Sequence, residues 1–136
     1  MDFIDIYPFL VAMLIGALIG TERQRRLAEE KVRGVAGLRT FILISLLGAL
    51  SATLAAQYGS LFAVGALSSF IILVAVGYAS AVSSLGRIDL TAAVAAVVAF
   101  VLGMLANDPD KIALAVSLAI ITTWILATRT VTHRYV

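Results

Sequence analysis

The charged residues of this chain that could do chemistry stand where long apolar segments begin or end. Glu22 and Arg23 follow one such segment, Arg39 begins the next, and Asp89 precedes a later one. A carboxylate and a guanidinium at helix ends can neutralise each other, or they can line and gate the path of an ion. We therefore take Glu22, Arg23, Arg39 and Asp89 as candidate functional residues. Thr40 joins them as a hydroxyl that can satisfy backbone or ligand groups.

Other reactive groups are few. The chain has no cysteine, which excludes disulfides, thiolate metal sites and cysteine nucleophiles. The single histidine, His133, stands in a basic tail without a second ligand at suitable spacing, so we interpret it as an interfacial residue. Catalysis needs a positioned acid, base or nucleophile. We therefore predict a protein that is not an enzyme and has no cofactor and no metal site.

The sequence Asn107-Asp-Pro-Asp-Lys111 allows two interpretations. Asp108 can cap a helix by accepting hydrogen bonds from backbone N–H groups, with Pro109 at the first helical position and Asp110 in the first turn. The two carboxylates could instead bind a hard cation such as Mg²⁺. We favour the cap because aspartate and proline are common at these helix positions.

The composition indicates which elements must position these residues. Of 136 residues, 62% are hydrophobic and 13% are charged, and the mean hydropathy is +1.07. This is more apolar surface than a small water-soluble domain can bury. The apolar runs are rich in alanine and leucine and lack the alternation of a membrane barrel. We predict a single-domain (1–136), all-α integral membrane protein with five transmembrane helices at about 4–23, 38–57, 61–84, 90–107 and 111–129.

The basic residues predict the orientation of these helices. Nine of the ten lysine and arginine residues lie on one side of the five-helix arrangement, and only Lys111 lies on the other. The excess of positive charge on cytoplasmic loops then places the N-terminus outside and the C-terminus in the cytoplasm. This clustering indicates orientation in the lipid bilayer, and no motif indicates nucleic-acid binding. The acidic N-terminus lacks the basic leader of a secretory signal, so we expect the first segment to be retained.

Small residues recur at every fourth position in two helices and allow close packing of their backbones. The third helix carries a shorter version of this pattern, with Gly65 and Ser69. We expect a homo-oligomer and leave open whether the faces pack within one chain, between copies or against other membrane proteins. The two longer faces are Ala12, Gly16 and Gly20, and Ala95, Ala99 and Gly103.

The segment after the first apolar run can continue as a helix, because Glu22 and Arg26, and then Arg25 and Glu29, stand four residues apart. Gly37 then permits a turn.

On a helical wheel Arg23 shares the face of Gly16 and Gly20, while Glu22 lies about 100° away. We predict a structural or gating pair between Glu22 and Arg39 across the cytoplasmic ends of the first two helices.

Two motifs in combination resemble the N-terminal membrane domain of the MgtC/SapB family. They are Gly16-Ala-Leu-Ile-Gly-Thr-Glu-Arg23 and Ala36-Gly-Leu-Arg-Thr40, and an apolar run ending in Leu47-Gly-Ala-Leu50 follows them. Phe41 stands where many members have histidine, and Asp89-Leu-Thr-Ala92 matches the family's Gly-Leu-Thr-Thr sequence only in part, as in a divergent branch. We expect the chain to lack the soluble C-terminal domain of typical members. The positions that match the family motif are Gly16, Gly20, Glu22, Arg23, Gly37, Arg39 and Thr40.

The resemblance implies a multi-pass protein of the bacterial inner membrane, linked to magnesium homeostasis or to the regulation of other membrane proteins. Two functions stay open at this point. One is a non-enzymatic regulator, and the other is an oligomeric ion channel or transporter with an ion path near the cytoplasmic ends of helices 1 and 2. No predicted span has an acid at its centre, which weakens a magnesium or proton path. Arg23, Arg39 and Thr40 would suit an anion.

Overall fold

The computed structural model describes residues 3–29, 37–85 and 90–135, and every regular element in these ranges is helical. A short 3-10 helix, Pro109–Lys111, precedes the last α-helix. The predicted all-α fold is thereby confirmed. The α-helices, in chain order, are α1 (Phe3–Glu29), α2 (Leu38–Tyr58), α3 (Ser60–Leu85), α4 (Leu90–Ala106) and α5 (Ile112–Tyr135).

Four of the five α-helices are long and apolar enough to cross a membrane. α4 is apolar over Thr91–Ala106 but has 17 residues, which make about 25 Å of helix, slightly less than the hydrocarbon thickness. The chain is a multi-pass membrane protein, and the fifth span stays a prediction. The four longer segments are Ile6–Arg25, Leu38–Tyr58, Ser60–Ser80 and Pro109–Thr128.

Two helix boundaries follow from local chemistry that the sequence indicates. Gly59, between α2 and α3, has a φ of 106°, which glycine adopts readily, and its N–H donates to Ala55 O at 2.7 Å. At the start of the 3-10 helix, Asp108 Oδ1 accepts from the backbone N–H of Asp110 at 3.0 Å, and Pro109 follows the cap. The capping role of Asp108 is confirmed. Among the described residues, no three histidine, aspartate or glutamate side chains lie together.

α2 lies between α1 and α4 and packs tightly against both. On the α4 side, a Cβ added at Gly48 would collide with Phe100 O, and one added at Gly103 would collide with Ser45 O. The fully buried Ser45 hydroxyl donates to Ala99 O at 3.1 Å. Glycine on each helix thus allows the close backbone contact and the hydrogen bond. Such contacts hold membrane helices together, because lipid tails provide no hydrophobic driving force for helix association.

These contacts place both longer small-residue faces inside the protomer. Gly16 and Gly20 of α1 lie against α2, and Ala12 beside them is fully buried. Ala95 and Ala99 of α4 are at most 3% exposed. Neither face is available for contact with a second copy.

The remaining helices surround this three-helix centre. Within Ser60–Ser80 of α3, Phe70 alone is buried, and its ring stacks on that of Phe100 with 4.5 Å between ring centroids. α5 contacts α1 and α4 and buries a row of apolar side chains that includes Ala115, Ala119 and Leu126. α3 is therefore the helix that the rest of the protomer covers least.

Candidate functional site

Arg23 is the buried charge at the contact between α1 and α2. It stands on the same face of α1 as Gly16 and Gly20, and a Cβ added at Gly20 would lie 3.0 Å from both Leu38 Cα and Phe41 Cβ. Because this face is pressed against the first turns of α2, Arg23 is carried into the contact and is only 3% exposed. The wheel position predicted from the sequence explains its burial.

The Arg23 guanidinium brings a fixed positive charge into this contact. Its Nε and Nη1 atoms are shielded and make no hydrogen bond to the described residues, although the residue has other interactions. The charge of this guanidinium attracts an anion that approaches it and repels a cation.

Gln24 of α1 caps the N-terminus of α2. The residue before α2, Gly37, offers no side-chain cap, and the Leu38 N–H donates instead to Gln24 Oε1 at 3.2 Å. A Cβ added at Gly37 would collide with the same oxygen, so glycine leaves the space that the cap needs. Sequence analysis missed Gln24. The available signal was that the start of α2 has no serine, threonine, aspartate or asparagine at the capping position. Its N–H groups therefore need an acceptor from another segment.

Glu22 pairs with Arg25 of its own helix. Arg25 Nη2 lies 2.7 Å from Glu22 Oε1, and Arg25 Nε lies 3.2 Å from Oε2, a two-point contact. The structure thus contains an intrahelical pair where we predicted a pair between Glu22 and Arg39. Residues three apart on a helix are neighbours, so α1 satisfies this carboxylate itself. Arg39 is exposed on the first turn of α2.

The remaining candidates lie at the margin of this site. Thr40 is half-buried in the first turn of α2 and makes no hydrogen bond to the described part of the chain. Asp89 lies outside the described residues, so its role stays a prediction. The structure therefore brings together Arg23, the glycines of α1 and the start of α2, with Glu22 and Arg25 paired beside them.

Comparison with known protein families gives a match over most of the chain. A model of the MgtC family matches residues 9–135. No curated protein and no solved structure gives a significant match. Because the match covers nearly the whole chain, the chain belongs to the MgtC family, and the resemblance inferred from the α1 and α2 motifs is confirmed. Membership ties this membrane protein to magnesium physiology.

Proposed function

We propose that this member of the MgtC family is a non-enzymatic regulator of other membrane proteins in the bacterial inner membrane. Its link to magnesium homeostasis would then be indirect, because the protein does not carry Mg²⁺ itself. The observation that supports this proposal is the burial of Arg23 in the α1–α2 contact, where Arg23 is 3% exposed.

The charge of Arg23 opposes a cation path at this contact. A divalent cation at roughly 8 Å from a guanidinium is repelled by about 4 kcal/mol at an effective dielectric constant near 20. Glu22, the residue before Arg23, is already paired with Arg25. A magnesium ion entering here would be repelled by the Arg23 guanidinium.

The centre of the protomer is also filled with apolar side chains. Ile19, Phe41 and Phe100 are each at most 1% exposed. They offer no oxygen atoms to replace the water shell of Mg²⁺, which this ion gives up reluctantly. Action through contact with other membrane proteins fits this filled centre better than conduction does.

Flux measurements on purified protein in lipid vesicles test the proposal directly. We expect Mg²⁺ uptake equal to that of protein-free vesicles, while the same protein restores growth in low magnesium to a strain that lacks it. Arg23→Gln should abolish this restoration. Arg25→Gln is the matched control, because it removes an arginine whose side chain is 52% exposed, and it should preserve growth.

Two outcomes would contradict the regulatory role. The first is Mg²⁺ uptake above the protein-free level that disappears in Arg23→Gln. The second is crosslinking in native membranes that captures only contacts between copies of the chain, because a regulator must touch the protein that it regulates.

A second candidate function is an oligomeric channel or transporter with an ion path near the cytoplasmic ends of α1 and α2. The buried Arg23 guanidinium and the N-terminus of α2, which carries partial positive charge, favour an anion for such a path. Chloride flux in the same vesicles, lost in Arg23→Gln and retained in Arg25→Gln, would support this function over regulation.

We also propose that all five helices span the membrane, with the N-terminus outside. The charge distribution supports an odd number of spans, since only then do nine of ten basic residues share the cytoplasmic side. A reporter enzyme active only outside the cytoplasm should be inactive when fused at the C-terminus and active when fused at Asp108. Activity of the C-terminal fusion would contradict the proposal, because it requires either an even number of spans or the inverted orientation.

A further inference from the structure

Arg39 is an outward-facing cation at the end of the bundle where α1 ends and α2 begins. Of the other arginines whose side chains the structure describes there, Arg23 is buried and Arg25 pairs with Glu22 at 2.7 Å. Arg39 is exposed, and its guanidinium makes no hydrogen bond or ion pair within the described part of the chain. Its charge is therefore available to a group outside the protein.

A row of exposed leucines continues from Arg39 along the same side of α2. Leu43, Leu47 and Leu50 are 63%, 45% and 44% exposed. At 100° per residue, the other two leucines and Arg39 all project within about 40° of Leu43. We call Arg39, Leu43, Leu47 and Leu50 the α2 face. Because α2 is long and apolar enough to cross a membrane, the leucines of this face lie against lipid chains and Arg39 lies at the membrane surface.

The α2 face has the length of one lipid leaflet. The rise of 1.5 Å per residue places Arg39 about 16 Å from Leu50 along the helix axis. The hydrocarbon of one leaflet is about 15 Å thick, half of the core of a bilayer. A phospholipid whose acyl chain lies along the three leucines would therefore hold its phosphate beside Arg39. The hydroxyl of Thr40, which is half-buried in the same turn, can donate to that phosphate.

We propose that the α2 face binds an anionic phospholipid, with its acyl chain against the leucines and its phosphate group at Arg39. Complementary charge selects this ligand. Phosphatidylcholine also has a phosphate, but its own cationic group offsets that charge, whereas phosphatidylglycerol keeps a net negative charge. The guanidinium suits a phosphate because it can donate two parallel hydrogen bonds to it.

Quenching of tryptophan fluorescence by brominated lipids measures this preference at the α2 face itself. The chain has one tryptophan, so Leu47→Trp combined with Trp124→Phe places the only fluorophore of this kind on the face. In phosphatidylcholine vesicles, brominated phosphatidylglycerol and brominated phosphatidylcholine compete for contact with this tryptophan, and the quenching gives their relative association constant. We expect the constant to favour phosphatidylglycerol about fivefold, which corresponds to the ~1 kcal/mol that one arginine contributes at an anionic membrane surface.

Arg39→Gln and Arg25→Gln form a matched pair, because each removes one positive charge from the same end of the bundle. Arg39→Gln should lower the relative constant to near one. Arg25→Gln should preserve it, since Arg25 is held by Glu22, and Arg39→Lys should recover most of it by restoring the charge. Equal association of the two lipids when Arg39 is present, or an undiminished preference in Arg39→Gln, would overturn the proposal.

Two controls establish where the lipid binds and that it is a lipid. The natural Trp124 of α5, which is 68% exposed, reports another side of the protein, so Arg39→Gln should leave its quenching unchanged. A change at Trp124 as large as that at the α2 face would overturn the assignment to this face. Inorganic phosphate is compared with chloride at equal ionic strength, and a preference abolished by phosphate alone would identify a soluble anion as the ligand and overturn the lipid. None of these results depends on the proposed function, which is tested by flux and growth.

Discussion

The contact between α2 and α4 predicts a large effect from the smallest possible substitution, Gly103→Ala. One added methyl group would collide with Ser45 O and lie 2.9 Å from Ser45 C, so the two helices must separate. Forcing extra atoms into a packed interior costs about 1–3 kcal/mol. Separation also weakens the bond from the Ser45 hydroxyl to Ala99 O, which adds about 0.6 kcal/mol, the average for such bonds in membranes. Alanine gains about 0.5–1 kcal/mol over glycine inside a helix, so we expect a net loss of about 1–3 kcal/mol.

Gly65→Ala is the control, because it should not lower the stability of the protomer. Nothing lies within 4 Å of a Cβ added at Gly65, so the helix gains from alanine without a collision. Glycine inside a helix is less favourable than alanine by about 0.5–1 kcal/mol. The protomer should therefore be unchanged or slightly more stable.

Titration with sodium dodecyl sulfate in mixed micelles, with resistance to a short protease pulse as the readout, measures both variants on one scale. Gly103→Ala should unfold at a clearly lower detergent fraction than the unmodified chain, and Gly65→Ala at an equal or higher fraction. The reasoning fails if Gly103→Ala is as stable as the unmodified chain, since the α2–α4 backbone contact would then tolerate an extra atom.

Three further substitutions test individual contacts. Gln24→Ala removes the acceptor of the Leu38 N–H and should destabilise the start of α2 by about 1 kcal/mol. Amide hydrogen exchange at the start of α2 should then be faster, and unchanged exchange would refute the cap. Asp108→Ala should lower stability by a similar amount and Asp108→Asn by much less, because asparagine also caps helices. If both variants lost equal stability in the same detergent titration, the charge of Asp108 would matter as well as its cap. Arg23→Met keeps the length of the side chain and removes its charge, so it should abolish growth in low magnesium. Growth like that of the unmodified chain would remove Arg23 from the function.

The sequence was sufficient for those parts of the structure that depend on short-range chemistry. Apolar runs predict the helices, the predicted bounds 38–57 and 61–84 leave Gly59 between two helices, and Asp108 follows from a capping pattern. The wheel position of Arg23 also anticipates its burial, because Gly20 on the same face marks a close contact.

Pairings between distant segments could not be obtained in the same way. Spacing shows that Gly103 lies on a face suited to close packing, but it does not say that Ser45 of α2 lies opposite. The same limit explains why the capping role of Gln24 was not predicted, since Gln24 stands 14 residues before the N–H that it caps. Glu22 has possible partners both in its own helix and in the next. Arg25 of its own helix is favoured because the helix already holds it close, without a further loss of chain entropy.

The sparse attachment of α3 has a consequence for how this protein can diverge over evolutionary time. Positions such as Gly48 and Gly103 admit no larger residue without moving a neighbouring backbone, so mutations there destabilise the fold. The outward positions of α3 need only remain compatible with lipid. New side chains can therefore accumulate on this helix while α1, α2 and α4 keep their arrangement, and relatives can acquire different neighbours in the bilayer without first acquiring a different fold.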